Sequence, residues 1–211
     1  MQGVSNDDAS DADLWARVCA GEGRAIASLY DRYAHRIHAY CFRRTGSVQL
    51  AQDLTSTVWL EAWRRRDSAV PYQDGSLAPW LFGIAHNTAR NSERSRRRHQ
   101  AALNRLPRLH PEPDHADAVA QRLDDERRMA LVLQGVAELP SHERDVLALV
   151  VWADLDHGQV AAALRISVGT VKSRLSRARA RLRSIDPTTV NGDDHTASPP
   201  RLSFGGSHDR R

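Results

Sequence analysis

From Arg24 onward the apolar positions Ile26, Leu29, Tyr30, Tyr33, Ile37, Tyr40 and Cys41 recur three and four apart, the spacing of one helix face. Gly46 ends that run, and Ser47 can cap a second helix reaching about Arg66. Pro79 suits the first turn of a third, running from Trp80 toward Arg98. A short segment over 13–19 precedes them, so this first set predicts a compact helical bundle. A second set begins near Arg127 with Met129, Leu131, Val132, Leu133 and Val136. Pro140 and Ser141 open a helix through Val146, Leu147, Val150 and Trp152. Asp156 caps a short one with Val160 and Leu164, and Ser167 caps a last one with the stripe Val171, Leu175, Ala178 and Leu182. Strand signals are almost absent. The expected class is all-α: two small helical domains joined by a flexible linker, the second a helix-turn-helix.

At 211 residues the chain has the length of one large domain or two small ones, and two fit this pattern better. The stretch 110–126 carries Pro111, Pro113 and six acids, a linker composition. The end has Pro187, Pro199, Pro200 and Gly205-Gly206 with few apolar residues, where disorder is the default. The division is therefore a disordered start at 1–9, a first domain at 10–98, a linker at 99–126, a second domain at 127–185 and a disordered tail at 186–211.

Charge changes the picture. The total is only +4, and Lys172 is the sole lysine. Yet 165–183 holds seven basic residues and no acid, and 90–98 holds five arginines against Glu93. These islands carry +7 and +4, leaving −7 on the rest of the chain. Each ends an amphipathic helix, the footprint of a protein that grips a polyanion at two places. No stretch approaches the roughly 18 apolar residues of a membrane span, so no membrane insertion is expected. The first thirteen residues hold Asp7, Asp8, Asp11 and Asp13 and no base, unlike a targeting segment. A cytoplasmic location follows. With Cys19 and Cys41 alone there is neither a disulfide framework nor zinc spacing. The two cysteines read either as a redox pair or as small apolar filling.

The segment 157–183, HGQVAAALRISVGTVKSRLSRARARLR, has the parts of a helix-turn-helix. Val160, Leu164, Ile166, Val171 and Leu175 would set the inter-helix angle, and Ala161, Ala162 and Ala163 allow close approach. Off the final stripe lie Ser167 at the cap, then Thr170, Lys172, Ser173, Arg174, Arg177, Arg179 and Arg181. In this geometry the residues nearest the helix N-terminus face base edges and the later ones phosphates.

In the first module, steps of about 100° from Leu50 put Leu50, Ala51, Leu54, Val58 and Ala62 on one face. Trp59, Trp63, Gln52 and Ser56 fall opposite, with Leu60 and Asp53 beside them. Apolar bulk away from the core stripe fits a docking surface for a partner; a helix buried on both sides by its own bundle gives the same pattern. The polar loop 67–79 carries Tyr72 and leads to Trp80, aromatics on which unpaired bases stack or which anchor the loop. Beyond it, Leu81, Ile84, Ala85 and Thr88 form a core stripe, and His86, Asn87, Arg90, Asn91 and Arg94 are left largely outward, able to meet bases and phosphates.

The segments AQDLTSTVWLEAW (51–63), PWLFGIAHNTARNSERSRRR (79–98) and LPSHERDVLALVVWADLDHGQVAAALRISVGTVKSRLSRARARLR (139–183) resemble bacterial RNA polymerase sigma factors of the two-domain, extracytoplasmic-function type. The resemblance implies that Gln52, Asp53, Ser56, Trp59, Leu60 and Trp63 dock on core RNA polymerase. It implies that Tyr72, Trp80, His86, Asn87, Arg90, Asn91 and Arg94 open and read the minus-10 element of promoter DNA. Ser167, Thr170, Lys172, Ser173, Arg174, Arg177, Arg179 and Arg181 would read the minus-35 element. An anti-sigma protein is a further partner it implies. The chain departs from the family's pattern at Gln52, Ser56 and Thr57, where acids are favoured, and at Arg165, where a turn glycine is usual.

A helix-turn-helix regulator acting without polymerase is the alternative. An enzyme finds little support. No cofactor or metal is implied, since His35 and His38 share a face with no carboxylate or cysteine cluster. No phosphate loop or nucleophile motif appears.

Overall fold

The computed structural model describes residues 9–103 and 118–185. The expectations for 1–8, 104–117 and 186–211, covering the start, much of the linker and the tail, lie outside the described residues. Within them are eight α-helices: α1 (Asp11–Cys19), α2 (Gly23–Thr45), α3 (Val48–Arg64), α4 (Ala78–Leu103), α5 (Ala118–Ala137), α6 (Ser141–Val151), α7 (His157–Leu164) and α8 (Val168–Ile185). A single 3-10 turn, Arg66–Ser68, follows α3.

Local chemistry sets most of the boundaries. Ser10 caps α1 by accepting the Asp13 N–H at 3.1 Å. Gly46, in the left-handed conformation at φ 68°, ends α2 and returns its N–H to the Phe42 carbonyl at 2.8 Å. Ser47 then caps α3. Pro79 lies in the first turn of α4, where a missing N–H costs nothing.

In the first module α2 packs against α1, α3 and α4. Leu29, Ile37, Tyr40 and Cys41 of α2 are fully buried, as are Ala51 and Val58 of α3 and Leu81 and Phe82 of α4. Each such leucine or isoleucine contributes roughly 1.5–3 kcal/mol relative to exposure. Tyr40 and Phe82 meet edge to face with centroids 5.6 Å apart. The buried Asp11 carboxylate fastens α1 to the turn before α4: it accepts the Leu77 N–H at 2.9 Å and the Tyr33 hydroxyl. Burial first, and that carboxylate second, push the Tyr33 phenol up to about 12.

In the second module Val146, Leu149, Val160, Val171, Leu175 and Ala178 form the centre. Two expectations change here. The segment 118–126 is helical and belongs to α5, although its composition reads as linker. Its acids sit in helix-surface pairs, Asp124 with Arg127 at 3.4 Å and Asp125 with Arg128 at 3.7 Å. Of the five apolar residues expected to start this module's core, only Met129 and Val136 are buried, while Leu131 and Val132 are exposed.

The two modules lie against each other in one continuous apolar cluster. α4 crosses α7 so closely that a Cβ on Gly83 would stand 3.1 Å from the Ala163 carbonyl oxygen. A side chain there would push α7 back by a few tenths of an ångström.

Candidate nucleic-acid interface

The turn between α7 and α8 is built by its caps. Asp156 accepts the Gln159 N–H at 2.8 Å and the Gln159 side chain accepts the Asp156 N–H at 3.2 Å, a reciprocal capping box on α7. α7 ends on Arg165, whose φ of 55° lies in the left-handed region that glycine tolerates best. Ser167 starts α8 by accepting the Thr170 N–H at 3.1 Å. Val171, Leu175 and Ala178 face inward, which leaves Lys172, Ser173, Arg177, Arg179 and Arg181 exposed and Thr170 and Arg174 half-buried. Two of these arginines turn toward their own domain. Arg181 Nε is 3.1 Å from Glu143 Oε2, and Arg177 Nε is 3.9 Å from Glu143 Oε1. Glu143 is buried on α6, so these contacts anchor α8 as well as charging its surface.

The loop before α4 is shaped by Gly75, at φ 79°, and by N–H bonds from Tyr72 to the Ser76 carbonyl and from Gly75 to the Tyr72 carbonyl, both 2.8 Å. Tyr72 is half-buried, with its hydroxyl against Gly158 of α7. Trp80 is half-buried and meets Trp15 edge-on at 5.0 Å. Along α4, Asn87, Asn91 and Arg94 are exposed and Arg90 is half-buried. His86, expected to face outward, is instead 3% exposed, with Nε2 3.8 Å from Asp145 Oδ2. Burial holds its imidazole below the ordinary histidine range, against the opposing pull of Asp145. A cleft of about 540 Å³ between the modules has Trp80, Asn87 and Arg90 on one wall and Arg165 and Arg174 on the other.

The outer face of α3 also differs from its helical wheel. Gln52, Asp53 and Ser56 are exposed, as are Leu60 and Trp63 at 49% and 41%. Trp59 is 8% exposed, covered by Tyr30 of α2 with ring centroids 5.1 Å apart. A wheel drawn on one helix places Trp59 opposite the core stripe but cannot register a crossing helix. The exposed apolar patch is therefore Tyr30, Leu60 and Trp63, with the Arg66 guanidinium 4.9 Å from the Trp63 ring centroid.

The sequence reading missed a buried polar centre. Arg44 of α2, 4% exposed, donates from Nη1 to Asp145 Oδ1 at 3.0 Å, and from Nη2 and Nε to Glu93 Oε1 at 2.7 and 3.1 Å. The signal was available: Arg44 continues the 37, 40, 41 stripe, so an arginine stands where the periodicity demands burial. Of the two readings for the cysteines, Cys41 is filler, buried with its thiol pushed up to about 12 by desolvation. Cys19 is exposed, and both are free thiols.

Residues 29–99 match the sigma-70 region 2 family and residues 129–182 match sigma-70 region 4. The RNA polymerase sigma-H factor of Pseudomonas aeruginosa is 30% identical over 175 residues, covering 80% of this chain and 90% of that one. The ECF RNA polymerase sigma factor SigL of Mycobacterium tuberculosis is 30% identical over 173 residues, covering 79% and 91%. Among solved structures, CnrH in complex with the cytosolic domain of CnrY shares the fold, with TM-score 0.63 and 24% identity over 85% of this chain and 98% of that one. Two helical modules in this order, the second a basic helix-turn-helix, together with relatives matched over nearly their whole length, mean that the chain belongs to the extracytoplasmic-function sigma factors of RNA polymerase.

Proposed function

We propose a division of labour for this sigma factor in which α3 docks core RNA polymerase through Leu60 and Trp63, aided by Gln52, Asp53 and Ser56. Tyr72, Trp80, Asn87, Arg90, Asn91 and Arg94 capture the opened minus-10 element, and the N-terminal half of α8 reads the minus-35 element in the major groove. The observation that carries this is the placement of Lys172 and Ser173 on the exposed side of α8, directly after the Ser167 cap, where a recognition helix presents its base-reading residues. His86 and Trp59 support their modules from within. Flipped bases stacked on Trp80 would recover the few kcal/mol of unstacking, so strand opening needs no catalysis by this chain, which is not an enzyme. The site of action is the cytoplasm. An anti-sigma protein is a fitting regulator, because a structure of the same fold is the sigma factor RpoE of Bartonella quintana in complex with the anti-sigma factor NepR.

Run-off transcription with core polymerase, this chain and a library of genomic promoters tests the reading. Specific transcripts are expected, with their loss in Trp63→Ala and a promoter-dependent weakening in Lys172→Ala. Tight duplex binding by the chain alone, with no initiation from any promoter, would instead establish a regulator that works without polymerase.

A further inference from the structure

The apolar stripe of α6 carries a carboxylate. Glu143 stands three and four positions before Val146 and Leu147, the spacing of one helix face, and the structure buries all three. At 1% exposed, it sits in the first turn of α6, where its charge also meets the positive end of the helix. Burying a lone carboxylate is costly, so the charge must be compensated. The compensation comes from α8. Arg181 Nε lies 3.1 Å from Oε2 and Arg177 Nε 3.9 Å from Oε1, with His142 Nε2 3.8 Å from Oε1. Among the described residues no N–H is aligned on Oε2 as a hydrogen bond, so Arg181 meets it as a charge and not through a directed bond.

Arg177 and Arg181 are one turn apart on the helix assigned above to duplex DNA. Each brings its Nε toward Glu143, yet the two side chains are 57% and 55% exposed, so the same guanidiniums are open to a phosphate. They therefore have two competing counter-ions, the internal carboxylate and the DNA backbone. One carboxylate cannot neutralise two guanidiniums, and the three groups together carry +1. One of the seven positive charges over 165–183 is thus cancelled from across the fold, by a residue outside that island.

We infer that Glu143 is a positioning residue for DNA binding: an internal counter-ion, shared by Arg177 and Arg181, that halves their hold on phosphates and so limits the sequence-independent grip of α8. Phosphate contacts supply essentially all of non-specific affinity and carry no direct sequence information. A carboxylate beneath the later arginines weakens the hold on arbitrary duplex and leaves Lys172 and Ser173, a turn nearer the N-terminus, free to read bases. The inference rests on the assignment of α8 to duplex DNA.

Glu143→Gln keeps the shape of the side chain and removes its charge. The full chain is titrated against a short fluorescent duplex of randomised sequence, with anisotropy followed as salt is raised, and thermal unfolding reports integrity. Each phosphate neutralised contributes about 0.9 to the slope of log K against log salt, so in the variant the slope should steepen by about 1, with binding about fivefold tighter at about 0.15 M salt and converging on wild type near about 1 M. In a chain carrying Arg177→Ala and Arg181→Ala, the same Gln substitution should leave the slope unchanged, because no guanidinium remains to be released. A purely structural role would lower stability and affinity together without steepening the slope.

Weaker or unchanged binding by a folded Glu143→Gln chain overturns the inference, and so does a steeper slope that persists without the two arginines. If Glu143→Gln unfolds, the arginines decide. Under sharing, Arg177→Ala and Arg181→Ala each lower the slope by about 1 and the double variant by no more, since the arginine left in either single variant is already fully paired; a loss of about 2 in the double variant overturns it. Arg179→Ala separates that failure from failure of the underlying assignment. A slope lowered by about 1 there keeps α8 on DNA while the counter-ion falls, and an unchanged slope removes both.

Discussion

Replacing Trp59 and Trp63 one at a time separates a core residue from a proposed docking residue four positions along the same helix. Trp59 is 8% exposed and packed under Tyr30, so Trp59→Ala leaves a large cavity between α2 and α3. Truncating a buried aromatic residue costs about 3–5 kcal/mol. Trp63 is 41% exposed, and its resolved aromatic contact is the Arg66 guanidinium at 4.9 Å. Exposed cation–π pairs contribute about 0.5–1 kcal/mol, so Trp63→Ala should barely move stability. Its effect belongs to the complex: an interfacial tryptophan that anchors binding costs about 2 kcal/mol or more when truncated, or roughly a 30-fold weaker Kd for core polymerase. Urea unfolding followed by circular dichroism measures the first quantity, and competition with a labelled sigma factor for core polymerase measures the second. Equal destabilisation by the two substitutions would refute the burial argument. A stable Trp63→Ala chain that binds polymerase like wild type would remove this face from the docking surface.

Three further outcomes follow from single positions. Arg165→Gly should stabilise the chain by about 1 kcal/mol in urea unfolding, because the left-handed φ of 55° strains a residue that carries a Cβ, and glycine has none. Arg179, exposed and late on α8, is placed for phosphate, so Arg179→Ala should lower the slope of log K against log salt by about 1, uniformly across promoters, whereas Lys172→Ala should weaken some promoters more than others. His86 is held below its ordinary pKa, so as pH falls through about 6.5 the unfolded chain takes up its proton first and stability drops; stability is fully present above that range. In His86→Gln the decline between pH 7 and pH 5 should flatten when unfolding is followed across pH, and an unchanged profile would show that His86 does not carry it.

Most helix positions, their caps and the two basic islands were legible along the chain, because periodicity, capping and local charge act over three or four residues. Gly46, Ser47, Asp156 and Ser167 each do in the structure what their position announces. The stretch 118–126 was misjudged because composition cannot distinguish a solvated loop from a helix whose acids pair with arginines on its own surface. Leu131 and Val132 were misjudged for the converse reason: apolar spacing names a face, and burial requires another element to cover it.

Thus the sequence alone determined the all-helical fold of the described residues, the helix-turn-helix, and the two helices that carry the basic islands. Tertiary structure decided which side chains on those helices are available. Tyr30 covers Trp59 from 29 positions away, and Asp145 reaches Arg44 across 101 positions. Burial of Trp59, His86 and Arg44 is a property of helices meeting in space, where the desolvation of a ring or charge depends on what crosses it. The same meeting of α4 with α7 sets Gly83 against the Ala163 backbone, while Lys172, Ser173, Arg177 and Arg179 of α8 stay exposed.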